Sequence, residues 1–124
     1  MPLGDSFFLG NDRNAKLHEY VVISRADPTG KVLCVSFRSA HGHQYDKSCV
    51  VKPGEFAHAF IRSLTFVDYS EAKAIDTEII RVNLQGRRWL RGESVPEGLV
   101  KRMQEGATKT DAIPAKFADY LRLM

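Results

Sequence analysis

The sequence predicts a mainly β domain with some α (α+β), an antiparallel sheet curled into a small barrel and followed by two C-terminal helices. Short β-branched and aromatic segments bounded by turn residues recur through residues 1–86. After residue 94 the apolar spacing changes from about two to about 3.6. A chain of 124 residues with 44% hydrophobic content has material for one core rather than two, so 1–124 is read as a single domain, strand-rich over 1–86 and helical over 94–124.

The apolar run at 6–9, set between Gly4-Asp5 and Gly10-Asn11-Asp12, reads as the first strand. Residues 19–24 form the second, and Asp27-Pro28-Thr29-Gly30 turns the chain into a third over 31–39. In that strand Leu33, Val35 and Phe37 make one fully apolar face, while Val32, Cys34 and Ser36 make a small or mixed one, the pattern of a central strand. A fourth strand at 48–51 stops at Pro53-Gly54, because proline cannot donate to a ladder. Residues 55–63 allow one helical turn or a packed loop, 64–69 reads as a fifth strand, and 71–76 and 78–84 are weaker strand candidates ending at Gln85-Gly86.

Ser94 with Glu97 forms a capping-box pattern and Pro96 falls in the first turn, so a helix starts there with Leu99, Val100, Met103 and Ala107 as its apolar face. Pro114 opens a second helix in which Phe117, Tyr120, Leu121 and Met124 recur at helical spacing.

The start of the chain lacks a cationic region followed by a long apolar run, and no window approaches a membrane span; a cytoplasmic protein without membrane contact is expected. Cys34 and Cys49 are read as reduced thiols, since small disulfide scaffolds carry more cysteines. The net charge of +3 is unevenly divided: residues 81–124 hold nine lysines and arginines against five acids, and the first 80 hold nine against ten. Arg81, Arg87, Arg88, Arg91, Lys101 and Arg102 suit a polyanion such as RNA or an acidic protein partner, or form an ordinary solvated surface.

Several stretches resemble the MazF/PemK ribonuclease toxins. Leu3-Gly4-Asp5 with Phe7-Phe8-Leu9 is similar to that family's opening strand, Tyr20 to Ser24 to its second, and Val32 to Ser39 to its third. Asp46-Lys47-Ser48-Cys49-Val50-Val51-Lys52-Pro53-Gly54-Glu55, continued after Phe56-Ala57 by His58-Ala59-Phe60-Ile61 and by Thr65-Phe66-Val67-Asp68-Tyr69, resembles an uncharacterised bacterial branch of PemK-like proteins. The resemblance implies an SH3-like barrel, metal-independent cleavage of single-stranded RNA without a cofactor, a homodimer and an antitoxin partner. His18 stands near the family's arginine position, the E-Q-x-x-x-R-P signature is absent, and Ser39, beside Arg38, is the nearest equivalent of its Thr or Ser.

Cleavage through the RNA 2′-hydroxyl needs a base, a cation near the phosphate and an acid for the leaving oxygen, roles that His and Arg fill at neutral pH. The candidate catalytic residues are therefore His18, Arg38, Ser39 and His58. Candidate RNA contacts are His41, Thr65 and the group Arg87, Arg88 and Trp89, in which a ring stacks a base beside two arginines; the structural alternative for Trp89 is to cover one end of the barrel. Two further readings remain: a non-catalytic SH3-like barrel binding protein or nucleic acid, and a metal site on His41, His43 and His58, whose spacing matches no zinc signature.

Overall fold

The computed structural model describes residues 1–124. It contains β1 (Ser6–Phe8), β2 (Glu19–Val22), β3 (Lys31–Ser39), β4 (Val50–Val51), β5 (Thr65–Asp76), α1 (Thr77–Gln85), β6 (Leu90–Arg91), α2 (Glu97–Lys109) and a C-terminal 3-10 helix (Ala115–Leu123). The strands form one antiparallel sheet in the order β4-β5-β3-β2-β1-β6. The fold is thus α+β, but the expected barrel is not closed. β4 and β6 are the two edges, each two residues long, and they do not pair with one another. Helices close the core where a barrel would use strand pairing. No helix is long and apolar enough to cross a membrane.

Strand alternation places one core on each side of the sheet. On one face Val21, Leu33, Val35, Phe37, Val51, Val67 and Tyr69 pack against Leu99, Val100, Met103 and Ala107 of α2, with Tyr120 of the 3-10 helix. Each fully buried Leu or Met side chain contributes roughly 1.5–3 kcal/mol here. On the other face Phe7, Tyr20, Val22, Val32 and Cys34 pack against Ile80 of α1. β3 is the internal strand its pattern predicts, flanked by β2 and β5 and buried on both faces. β5 joins two of the predicted strands into one; Cys34 pairs with Lys73 and Ser36 with Asp68, so Tyr69–Ala72 bulge opposite Val35.

The 78–84 segment is the helix α1, not a strand. Asp76 caps it by accepting the Glu78 amide at 2.8 Å, Glu78 pairs with Arg81 one turn on, and Gly86 ends it. These local contacts outweigh the β preference of Ile79, Ile80 and Val82. In α2 the capping box does not form: Pro96 is the N-cap, and the Leu99 and Val100 amides both donate to its carbonyl. The segment before it is held to the N-terminus instead, with the Val95 amide donating to the Gly4 carbonyl at 2.9 Å.

Two polar contacts fix the helices to the sheet. The Tyr69 hydroxyl donates to the Met103 carbonyl at 2.6 Å, and the bare Cα of Gly106 leaves it room: a Cβ there would lie 2.3 Å from that hydroxyl. The Tyr120 hydroxyl donates at 2.5 Å to Asp27, whose other oxygen organises the β2–β3 turn through the amides of Thr29 and Lys31. Burial, then the bond to Asp27, push the Tyr120 hydroxyl up to about 12.

Candidate functional site

Glu19 opens β2 in phase with Val21, which points it into the apolar face beneath α2. A carboxylate there is tolerable only with full hydrogen bonding. The Ser6 hydroxyl lies 2.8 Å from Oε2 and His58 Nε2 lies 2.8 Å from Oε1; the His58 and Glu19 side chains are 0% and 1% exposed. Ser6 Oγ also stands 2.6 Å from the Glu93 carbonyl, so its single proton has two acceptors. His58 arrives on a turn whose Ile61 amide donates to the His58 carbonyl at 3.1 Å, and its ring packs on Phe37 with centroids 6.0 Å apart. The bond to Glu19 is the chief reason the His58 pKa is raised, against the opposing effect of burial.

The second ring nitrogen of His58, Nδ1, is buried without a hydrogen-bond partner. Its nearest charged neighbour is Glu93 Oε1 at 3.9 Å, on a side chain that is 54% exposed. Glu93 belongs to the rim of a groove of about 240 Å³ lined also by Phe8, Phe60, Arg62, Arg91 and Gly92, with Glu19 at its base. Phe8 and Phe60 meet edge to face with centroids 5.3 Å apart, and Phe60 is exposed. Gly92 lets the backbone pass over the polar cluster: a Cβ would come within 2.3 Å of Ser6 Oγ and 2.7 Å of Glu19 Oε2.

Of the four residues expected to be catalytic, only His58 belongs to this cluster. Arg38 follows Phe37 in β3 and therefore projects from the opposite face, where its Nε lies 2.7 Å from Asp68. Ser39 is exposed at the end of β3, 3.4 Å from the Ser63 hydroxyl. His18 is exposed immediately before β2, next to Glu19 in sequence but outside the hydrogen-bonded cluster.

The expected RNA contacts are scattered as well. His41 is in the exposed loop after β3, and Thr65 is buried with its hydroxyl donating to the Ser63 carbonyl. Arg87 and Arg88 are exposed beyond α1, Arg88 donating to Asn83. Trp89 takes the covering role: it stacks on Phe7 at 5.6 Å and 8° over the core beneath α1. The basic surplus is dispersed, with Arg81 paired to Glu78 and Arg102 to Glu55, while Arg91 alone of that group reaches the groove.

Cys34 and Cys49 are free, buried thiols in different cores. Burial raises both, Cys49 to about 11, which argues against a nucleophilic thiolate. No three His, Cys, Asp or Glu side chains converge in a metal-holding arrangement; His41 and His43 lie in an exposed loop while His58 is buried.

Glu19, Ser6, Glu93, Phe8, Phe60 and Arg62 were not among the expected site residues, and Arg91 was named only within the C-terminal basic group. The readable signal was an acid in register with the core positions Val21 and Ile23. No protein-family model matches the chain, and no curated protein and no solved structure matches it.

The raised His58 pKa makes stability depend on pH. Its protonated ring is held by Glu19 in the native state, so this stabilisation is fully present below the unfolded value near 6.5 and is lost as pH rises through the raised folded value. Urea midpoints measured across that window should fall with rising pH, and the fall should flatten in Glu19→Gln. A wild-type profile that is flat there would contradict a charged pair.

Proposed function

We propose that the chain is a toxin-like endoribonuclease, or a descendant of one, that cleaves single-stranded RNA without a metal at the groove over the Glu19–His58 pair. The observation that carries this reading is a groove in which Glu19, bonded to the buried His58 behind it, meets two arginines and the edge-to-face rings of Phe8 and Phe60. Phe60 and Phe8 offer a surface on which a base stacks, and Arg62 and Arg91 hold the phosphate. The exposed Glu93 carboxylate takes the 2′-hydroxyl proton as the 2′-oxygen attacks phosphorus. The P–O5′ bond breaks, and the leaving oxygen takes the proton on His58 Nδ1, giving a 2′,3′-cyclic phosphate and a 5′-hydroxyl. Proton exchange with solvent restores both groups. Glu19 keeps the ring oriented and charged. A cytoplasmic setting, a homodimer, an antitoxin partner and an SH3-like ancestry belong to the same proposal through the resemblance to the MazF/PemK toxins.

Complete burial of the His58 side chain favours a second reading, a non-catalytic module that binds RNA or protein through the same groove. The two separate in one experiment. Purified protein is incubated with mixed-sequence single-stranded RNA in excess chelator, beside a 2′-deoxy substrate and the variant Arg91→Ala. Cleavage of the RNA alone, with cyclic-phosphate ends and a loss of about tenfold or more in Arg91→Ala, supports the enzyme. Binding that is weakened by Arg91→Ala, with no cleavage, supports the module. Folded protein that neither binds nor cuts sinks both.

A further inference from the structure

We infer that His58 Nδ1, with Arg62 and Arg91, forms a phosphate-binding site over which the Glu93 carboxylate stands in the free protein. The inference rests on the groove reading above and assigns the group that the groove recognises. Three observations converge on it. Nδ1 is fully buried, faces Glu93 and has no hydrogen-bond partner, so a donor there is unsatisfied until an acceptor arrives. The nearest acceptor, Glu93 Oε1 at 3.9 Å, is beyond hydrogen-bonding distance. Nε2 is already committed to Glu19, so whenever the ring is protonated its second proton sits on Nδ1.

The ring itself meets two charges, Glu19 on β2 and Glu93 just after β6, and the groove that these two line adds Arg62 from the loop before β5 and Arg91 from β6. Neither arginine has a carboxylate within ion-pair distance; Arg62 makes only a long contact of 3.4 Å to the Ala59 carbonyl. An incoming phosphate oxygen has the same acceptor chemistry as the carboxylate and carries more charge, and the half-exposed Glu93 side chain can pivot off Nδ1 along the groove's rim. Glu93 gives up its place against Nδ1 but stays at the groove's rim, beside the bound phosphate, where it is placed to take the 2′-hydroxyl proton of an RNA substrate. Glu19 remains beneath, neutralised by the ring it holds.

The test uses binding rather than turnover, so it stands apart from the ribonuclease assay. Inorganic phosphate, and separately a short 2′-deoxy oligonucleotide, are titrated into labelled protein while the His58 ring nitrogens are followed by NMR. Phosphate should shift Nδ1 saturably near pH 6 and bind about tenfold more weakly near pH 9, as the ring loses its proton. Arg91→Ala should weaken binding about fivefold, and Glu93→Gln should tighten it about threefold or more by removing the repulsion. An unperturbed Nδ1 in folded protein overturns the site, and unchanged affinity in Glu93→Gln overturns the displacement. Oligonucleotide binding that depends on Phe60 while phosphate leaves His58 untouched would sink this inference and leave the groove reading intact. Phosphate binding at His58 without any RNA cleavage would do the reverse to the ribonuclease.

Discussion

Replacing Glu19 with alanine should lower the free energy of unfolding by about 3–5 kcal/mol, among the largest effects of any polar substitution in this chain. Glu19 is 1% exposed and holds two partners at 2.8 Å, one of them a ring that is itself wholly buried. Without the carboxylate, His58 has no acceptor at Nε2 and loses the cause of its raised pKa, so it must be buried neutral and unsatisfied. Ser6 keeps the Glu93 carbonyl as an acceptor and suffers less. Glu19→Gln retains shape and a hydrogen bond, and should cost distinctly less. Chemical denaturation of the three proteins near neutral pH checks this, and equal stability of Glu19→Ala and wild type would show that the cluster contributes nothing net.

Gly106→Ala is expected to destabilise by about 1–3 kcal/mol once the strained Tyr69–Met103 bond is included, although alanine is the better helix former by about 1 kcal/mol. The added methyl would sit 2.3 Å from the Tyr69 hydroxyl and 3.0 Å from both the Cys49 Cβ and the Ser48 carbonyl. Tyr69 is fully buried, so its ring has nowhere to retreat without breaking the bond to Met103. Tyr69→Phe removes the atom that collides. The double variant should therefore lose less than the sum of the two single ones, and strict additivity in that cycle would contradict the clash.

The elements that were legible in the sequence are those whose local preference and tertiary role agree. β3 shows this at both ends, Lys31 and Ser39, because its alternation reflects burial on two faces. The apolar face of α2 was likewise readable from Leu99, Val100, Met103 and Ala107. α1 was not, because Ile79, Ile80 and Val82 favour a strand while the deciding contacts are a cap at Asp76 and the Glu78–Arg81 pair. The last helix is 3-10 rather than α: Phe117, Tyr120 and Leu123 line up at a spacing of three, which a four-residue repeat obscures. The site was only partly visible for a reason of parity. Arg38 and His58 are both chemically apt, but one residue of alternation puts Arg38 on the far side of the sheet from the ring that touches Phe37. Glu19 reads as an unremarkable strand start until its phase with Val21 is set against the need to satisfy a carboxylate within a core.

The sheet order also sets when during folding the groove can exist. The polar cluster beneath it joins residues 6, 19, 58 and 93, and β1 lies between β2 and the late-arriving β6. Such separated contacts repay loop-closure entropy only at the end, which makes their assembly slow relative to the β2–β3 hairpin. In a chain emerging from the ribosome, β2, β3 and β5 come out before Arg91, Gly92 and Glu93, so the strands that frame the groove are free to meet before its last residues arrive. Whatever the groove binds, the ability to bind it is withheld from the growing chain until β6 has emerged.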